Sequence, residues 1–371
     1  MMTYKETFFF IGKCLTINHE EHNKTLVEKN LKAAQIDWDS IVKVSTAHFV
    51  FPALYLNLKK ANFLQYLQPD LVDYMQHITN LNRQRNQQII SEAKEINNVL
   101  LANNITPIFL KGTGNLLEGL YDDIGERMVG DIDFIVSKSE YEKAIQIIQN
   151  IGYFTNYTTD YVHPSFKHYP RMRHEKHLAA IEIHKELLLE TYAHEFNYNF
   201  IKKDYQTINN VSFLSFKNQL CLSVIAHQIN DHGFKFKSIS LRNAYDVFLL
   251  SKKTATQNVF DEFVKLKNPL NCFLASCHIL FNKPASIQFN DTIEVKKYLE
   301  TFTLFLENPS LRINYQKKIK KRMHFKGVLD LILKYIFNKE YRSWFFTRIS
   351  DKDFYRKKLI QLGLKKPIPN A

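Results

Sequence analysis

The sequence predicts an α+β fold in which a small core of alternating strands and helices is flanked by helical regions. Two observations carry this. Residues 1–104 and 217–311 repeat apolar side chains at helical spacing, whereas three short apolar runs between residues 105 and 184 read as strands with helices between them. Four segments follow: a helical N-terminal region (1–104), an α/β core (105–216), a helical domain (217–311) and a basic, aromatic C-terminal extension (312–371).

In the N-terminal region, Leu71, Met75, Ile78, Ile89, Ile96 and Leu100 keep a rough 3.6 period. Pro69 suits a helix start, so one helix of about 30 residues is expected, ending near Asn103-Asn104. Ile105-Thr106-Pro107-Ile108-Phe109-Leu110 is the first strand candidate, with Pro107 near its start as strands require. A short helix is expected from Gly114 or Asn115 to Tyr121, then a strand over Asp131–Val136. Ser139 and Glu142 have capping-box spacing and should open a helix that Gly152 ends. The polar, His-rich segment 153–176 reads as strand plus loop, and His177–His184 is the third strand candidate. Leu220, Val224 and His227 lie on one later helix, and Leu241, Ala244, Tyr245 and Phe248 on the next.

Composition narrows the classes. With 371 residues, 45% hydrophobic, the chain can build sizeable cores. Four cysteines without a Cys-x-x-Cys pair fit a reducing cytoplasm, and no run of 18 apolar residues suggests a membrane span. The net charge of +13 is uneven: residues 312–371 hold 17 Lys or Arg against 4 Asp or Glu, and the rest is neutral. Phe325, Leu329, Ile332, Tyr335, Trp344 and Phe345 interleave with those cations. This extension reads either as a surface for nucleic acid or anionic membrane, or as helix packed on the body with a solvated basic face.

The chemistry concentrates around Asp131-Ile132-Asp133. Alternate strand residues share a face, so the two carboxylates point the same way, their Cβ atoms roughly 6–7 Å apart. Unpaired, they would repel by roughly 2–3 kcal/mol at an effective dielectric of ~20, which a cation or a proton would relieve. Glu182 is a candidate third acid on a neighbouring strand, able to orient or deprotonate an attacking hydroxyl, and His184 shares its face. Glu186 is the fallback if that strand continues. Lys111-Gly112-Thr113 joins strand to helix. There the backbone N–H groups, the Lys111 ammonium and the Thr113 hydroxyl could hold phosphate. Arg127 could meet a phosphate or brace the acids. Six of the 14 histidines fall between His163 and His194, but without a His-x-x-x-His pair or a cysteine partner they do not specify zinc.

Lys111-Gly112, Tyr121, Arg127-x-x-Gly130-Asp131-Ile132-Asp133, Gly152-Tyr153 and Ile181-Glu182-Ile183-His184 together resemble the uncharacterised nucleotidyltransferase family of bacteria. That family sits in the polymerase-beta-like nucleotidyltransferase superfamily. The resemblance is specific over residues 105–185 and looser over 217–250, where His227 and Leu241–Asp246 look like its helical part. It implies a mixed sheet carrying three acids: Asp131 and Asp133 as metal ligands and Glu182 as the third. Lys111 departs from the superfamily's usual first glycine, while Gly112-Thr113 matches its Gly-Ser phosphate turn. The activity implied is Mg2+-dependent (Mn2+ also suits) transfer of NMP from an NTP to an unidentified hydroxyl acceptor, releasing pyrophosphate. Two alternatives stay open: a catalytically silent nucleotide-binding or regulatory module, and a binding protein acting through its basic tail.

Overall fold

The computed structural model describes residues 2–34, 36–155, 164–350 and 356; for residues 348 and 349 it describes the backbone alone. His163 and residues 351–371 of the basic extension, 356 apart, lie outside the described residues. The chain divides into two compact units: residues 1–155 with 167–315, and residues 156–166 with 316–371.

Four helices open the first unit: α1 (Tyr4–Cys14), α2 (Glu21–Lys32), α3 (Trp38–Ala47) and α4 (Phe51–Lys60). The expected long helix is α5 (Pro69–Ala102), 34 residues with Pro69 in its first turn. It buries Met75, Ile89, Ala93, Ile96 and Leu100 along one face. Then come β1 (Ile108–Phe109), α6 (Lys111–Glu118), β2 (Asp131–Ile135), α7 (Tyr141–Asn150), β3 (Phe154–Thr155), β4 (Met172–Arg173) and β5 (Ala180–His184). The short α8 (Tyr198–Ile201) leads into the hairpin β6 (Tyr205–Ile208) and β7 (Val211–Leu214). The unit closes with α9 (Phe216–Ile225), a π-helical turn (Ala226–Asn230), α10 (Gly233–Phe236), α11 (Leu241–Ser251), α12 (Lys267–Leu280), α13 (Ile293–Glu307) and the start of α14 (Pro309–Phe337). The second unit holds the rest of α14 and α15 (Lys339–Ile349), where the Tyr335 ring meets Phe345 at 4.8 Å.

The seven strands of the described residues form one mixed sheet, ordered β3-β4-β5-β2-β1-β7-β6. β2 is parallel to β5 and antiparallel to β1, and β1 is parallel to β7. Ile132, Phe134, Ile181 and Ile183 are fully buried, which fixes the opposite face of β2 and β5 for their polar residues.

α5 holds both of these strands. Asn82 and Asn86 donate to the Arg127 carbonyl (3.2 and 2.7 Å), and Arg85 donates to the Val129 carbonyl (3.3 Å), which pins the chain entering β2. Two turns beyond Arg85, the Glu92 carboxylate accepts from the Leu178 and Ala179 amides at 2.7 and 3.0 Å, pinning the chain entering β5. These bonds satisfy backbone groups that enter the sheet unpaired.

Two local expectations are corrected. The helix after Ser139 begins at Tyr141 with Glu140 as N-cap and no side-chain cap, so the Ser139–Glu142 capping box does not form. Instead the Ser137 hydroxyl bonds Ser139 and Glu140. The helix expected from Gly114 starts earlier, at Lys111, and ends at Glu118 before a left-handed Gly119.

Candidate functional site

Asp133 stands directly opposite Glu182 in the parallel β2–β5 ladder, and Asp131 stands opposite Ala180. Strand alternation therefore puts Asp131, Asp133, Glu182 and His184 on one face. His184 Nε2 lies 2.9 Å from Asp133 Oδ1 and 3.7 Å from Glu182 Oε2. His168 pairs with His184 across an antiparallel bridge, its Nε2 3.9 Å from Glu182 Oε2.

Lys111 completes the cluster. Its Nζ donates to Asp133 Oδ1 at 2.5 Å and lies 3.7 Å from Glu182 Oε2. It reaches them from the head of α6 with φ +53, a left-handed conformation that costs a side-chain-bearing residue of order 1–3 kcal/mol. The special backbone position in this turn thus belongs to Lys111, not to Gly112. Gly112 serves close approach instead, since a Cβ there would lie 2.9 Å from Val129 Cγ2. The buried Thr113 hydroxyl donates to the Asp131 carbonyl at 2.8 Å, tying α6 to β2.

The electrostatics follow from these contacts. Burial pushes the Asp133 carboxyl up, but the Lys111 ammonium and the His184 hydrogen bond outweigh it and hold the group below the ordinary aspartate range. Glu182 is also lowered, burial being offset by His184 and Lys111 against the repulsion of Asp133. Lys111 is raised despite burial, because Asp133 and Glu182 favour its charge. Asp131 is raised by burial, although it is ion-paired to Arg171.

These groups line a cavity of about 280 Å³. One side carries Lys111, Asp131, Asp133 and Glu182; Arg127, Lys167, Arg242 and Asp246 contribute elsewhere. Arg127 and Asp246 form a buried bidentate pair, Nε to Oδ1 at 2.9 Å and Nη2 to Oδ2 at 2.8 Å. Tyr121 donates to the same carboxylate at 2.7 Å. Arg127 thus braces an acid, and the acid is Asp246 on α11. Arg242, one turn before Asp246, forms no ion pair among the described residues, and its buried Nε has no hydrogen-bond partner. Burial pushes the Arg242 guanidinium down to about 10. Lys167 is also lowered, by burial and by Lys111.

Five residues around this site carry no assigned role in the sequence reading. Arg242 and Asp246 stand four apart, the two charged residues of a mostly apolar helix, which is a usable signal. Lys167, His168 and Arg171 fall in an aperiodic polar stretch that offers none. The four cysteines are free and buried, and none lines the cavity. No helix among the described residues is long and apolar enough to cross a membrane.

Acids on a mixed sheet beside a cation-bearing cavity define a class of site suited to a charged, phosphate-bearing substrate. The model of a family described as uncharacterised nucleotidyltransferase matches residues 34–283, and the chain belongs to that family. Membership supports a nucleotidyltransferase-type activity with a nucleotide substrate. A similar solved structure is that of JHP933 from Helicobacter pylori, 16% identical, covering 65% of this chain and 95% of that one with a TM-score of 0.30. No curated protein matches.

Proposed function

We propose that the protein transfers NMP from an NTP to a hydroxyl acceptor with release of pyrophosphate, using a divalent cation. The observation that carries this reading is the group formed by Asp133, Glu182 and His184, whose ligand atoms all lie within 4.8 Å of one another. Two carboxylate oxygens and an imidazole fit a divalent cation, Mg2+ or, with the nitrogen donor, Mn2+. Asp131, on the same face of β2, would join them. When bound, the cation neutralises negative charge on the phosphate oxygens.

The chain's own groups supply the rest. Arg242 and Lys167 are cations facing the cavity without a carboxylate partner among the described residues, and they suit the triphosphate. The Gly112 amide at the start of α6 adds a donor there, whereas Thr113 is buried with its hydroxyl on the Asp131 carbonyl. Lys111 would exchange its carboxylates for phosphate as a cation enters. Glu182, held below its ordinary value, is a weak proton acceptor near neutral pH and better suited to orienting the acceptor hydroxyl.

Incubating the full chain with each NTP, Mg2+ or Mn2+ and a metabolite extract tests this. Pyrophosphate release with an acceptor heavier by one NMP is expected. Lys111 already serving as counter-ion to Asp133 favours a second reading, a nucleotide-binding module without turnover. Nucleotide binding with no pyrophosphate released from any mixture would select that second reading.

A further inference from the structure

The second unit carries a surface that the cavity chemistry does not use. On α14, Phe325, Val328, Leu329, Ile332, Leu333 and Ile336 recur at steps of three and four, so they share one helix face. All six are exposed, and Phe337, which follows them, is 82% exposed. A contiguous apolar face left in water marks an interaction surface. The preceding turns hold Lys317, Lys318, Lys320, Lys321 and Arg322, with Lys326 next, whereas Asp330 is the one acid between residues 316 and 337.

The partner must therefore offer negative charge beside an apolar medium. Nucleic acid offers the charge, but five of the six stripe residues, Val328, Leu329, Ile332, Leu333 and Ile336, give its bases no stacking plane. A second copy of this helix offers the apolar face, but brings its own positive charge against the first. An anionic bilayer offers both, headgroup phosphates for the cations and acyl chains within reach of the stripe. We propose that residues 317–337 dock in the plane of an anionic lipid surface, with the Phe325–Ile336 face inserted and the basic turns on the headgroups. This rests on α14 alone and is independent of the proposed activity.

The test is sedimentation of the full chain with vesicles of phosphatidylcholine alone or mixed with phosphatidylglycerol. Binding to the anionic vesicles is expected to exceed binding to the neutral ones by about tenfold or more and to fade as salt rises. Ile332→Glu with Leu333→Glu should lower that partition by about tenfold or more. Lys317→Gln, Lys318→Gln and Lys321→Gln together keep the apolar stripe and should abolish the preference for anionic lipid, so the test survives misfolding of the first variant. Equal binding to both vesicle types, or parental binding by both variants, overturns the proposal. Capture of single-stranded or duplex nucleic acid without vesicle binding overturns it in favour of nucleic acid. A salt-stable dimer that ignores vesicles overturns it in favour of self-association.

Discussion

The Lys111 ammonium sits 2.5 Å from Asp133 Oδ1, inside the group of oxygens and nitrogen that suits a divalent cation. One position cannot hold both cations. Lys111→Met should therefore tighten Mn2+ binding to the nucleotide-free protein. It should also lower stability without metal, by about 3–5 kcal/mol for a broken buried pair, because Asp133 loses its counter-ion. Mn2+ should restore more of the melting temperature in the variant than in the parent, by mass action. Identical Mn2+ shifts in both proteins would separate Lys111 from the cation site.

The Arg127–Asp246 pair is the buried link between the chain entering β2 and α11. Arg127→Met strands a carboxylate that is 1% exposed and should cost about 3–5 kcal/mol in urea unfolding. Replacing both partners, Arg127→Met with Asp246→Leu, should cost clearly less. Equal losses would mean that Arg127 acts through packing rather than charge.

Glu126 titrates far from its ordinary range. Burial pushes its carboxyl up to about 7, although it accepts from the Tyr245 hydroxyl at 2.8 Å. An acid with a raised folded value binds its proton more tightly when folded, so stability falls as pH rises from about 4.5 to about 7 and then levels. The full penalty is of order 3 kcal/mol. Glu126→Gln removes the titration while keeping an acceptor for Tyr245. Its stability relative to the parent should grow between pH 5 and pH 8. A difference independent of pH would show that Glu126 ionises normally.

Arg242 brings a buried, unpartnered Nε to the cavity. Arg242→Met should weaken NTP binding by about tenfold or more, the worth of a charge-assisted hydrogen bond, with little loss of stability because no ion pair is broken. Unchanged affinity by calorimetry would remove Arg242 from the phosphate contacts.

Much of the site was legible because its signals are local. Asp131 and Asp133 read as one face from their spacing alone, and Glu182 and His184 do the same on β5. The long α5 announced itself through its period and Pro69. What stayed hidden depends on distance. Nothing near Arg127 names Asp246, 119 residues along, as its partner. Nothing near Glu92 says that it caps amides 86 and 87 residues away. The β6–β7 hairpin has a local sign in Asn209-Asn210, both at positive φ, between the short strands Tyr205–Ile208 and Val211–Leu214. Ser139 misled because the capping spacing recurs two residues from the true helix start, where Glu140 takes the N-cap position.

In the proposed function, Asp133 and its neighbours couple a divalent cation to nucleotide binding. Calorimetric titration of the full chain with a non-hydrolysable NTP analogue, with and without Mn2+, tests it most directly when repeated on Asp133→Asn. Tight binding only with Mn2+ is expected in the parent, and loss of the Mn2+ dependence in the variant. Nucleotide binding of equal strength in parent and variant, with the same response to Mn2+, would contradict it.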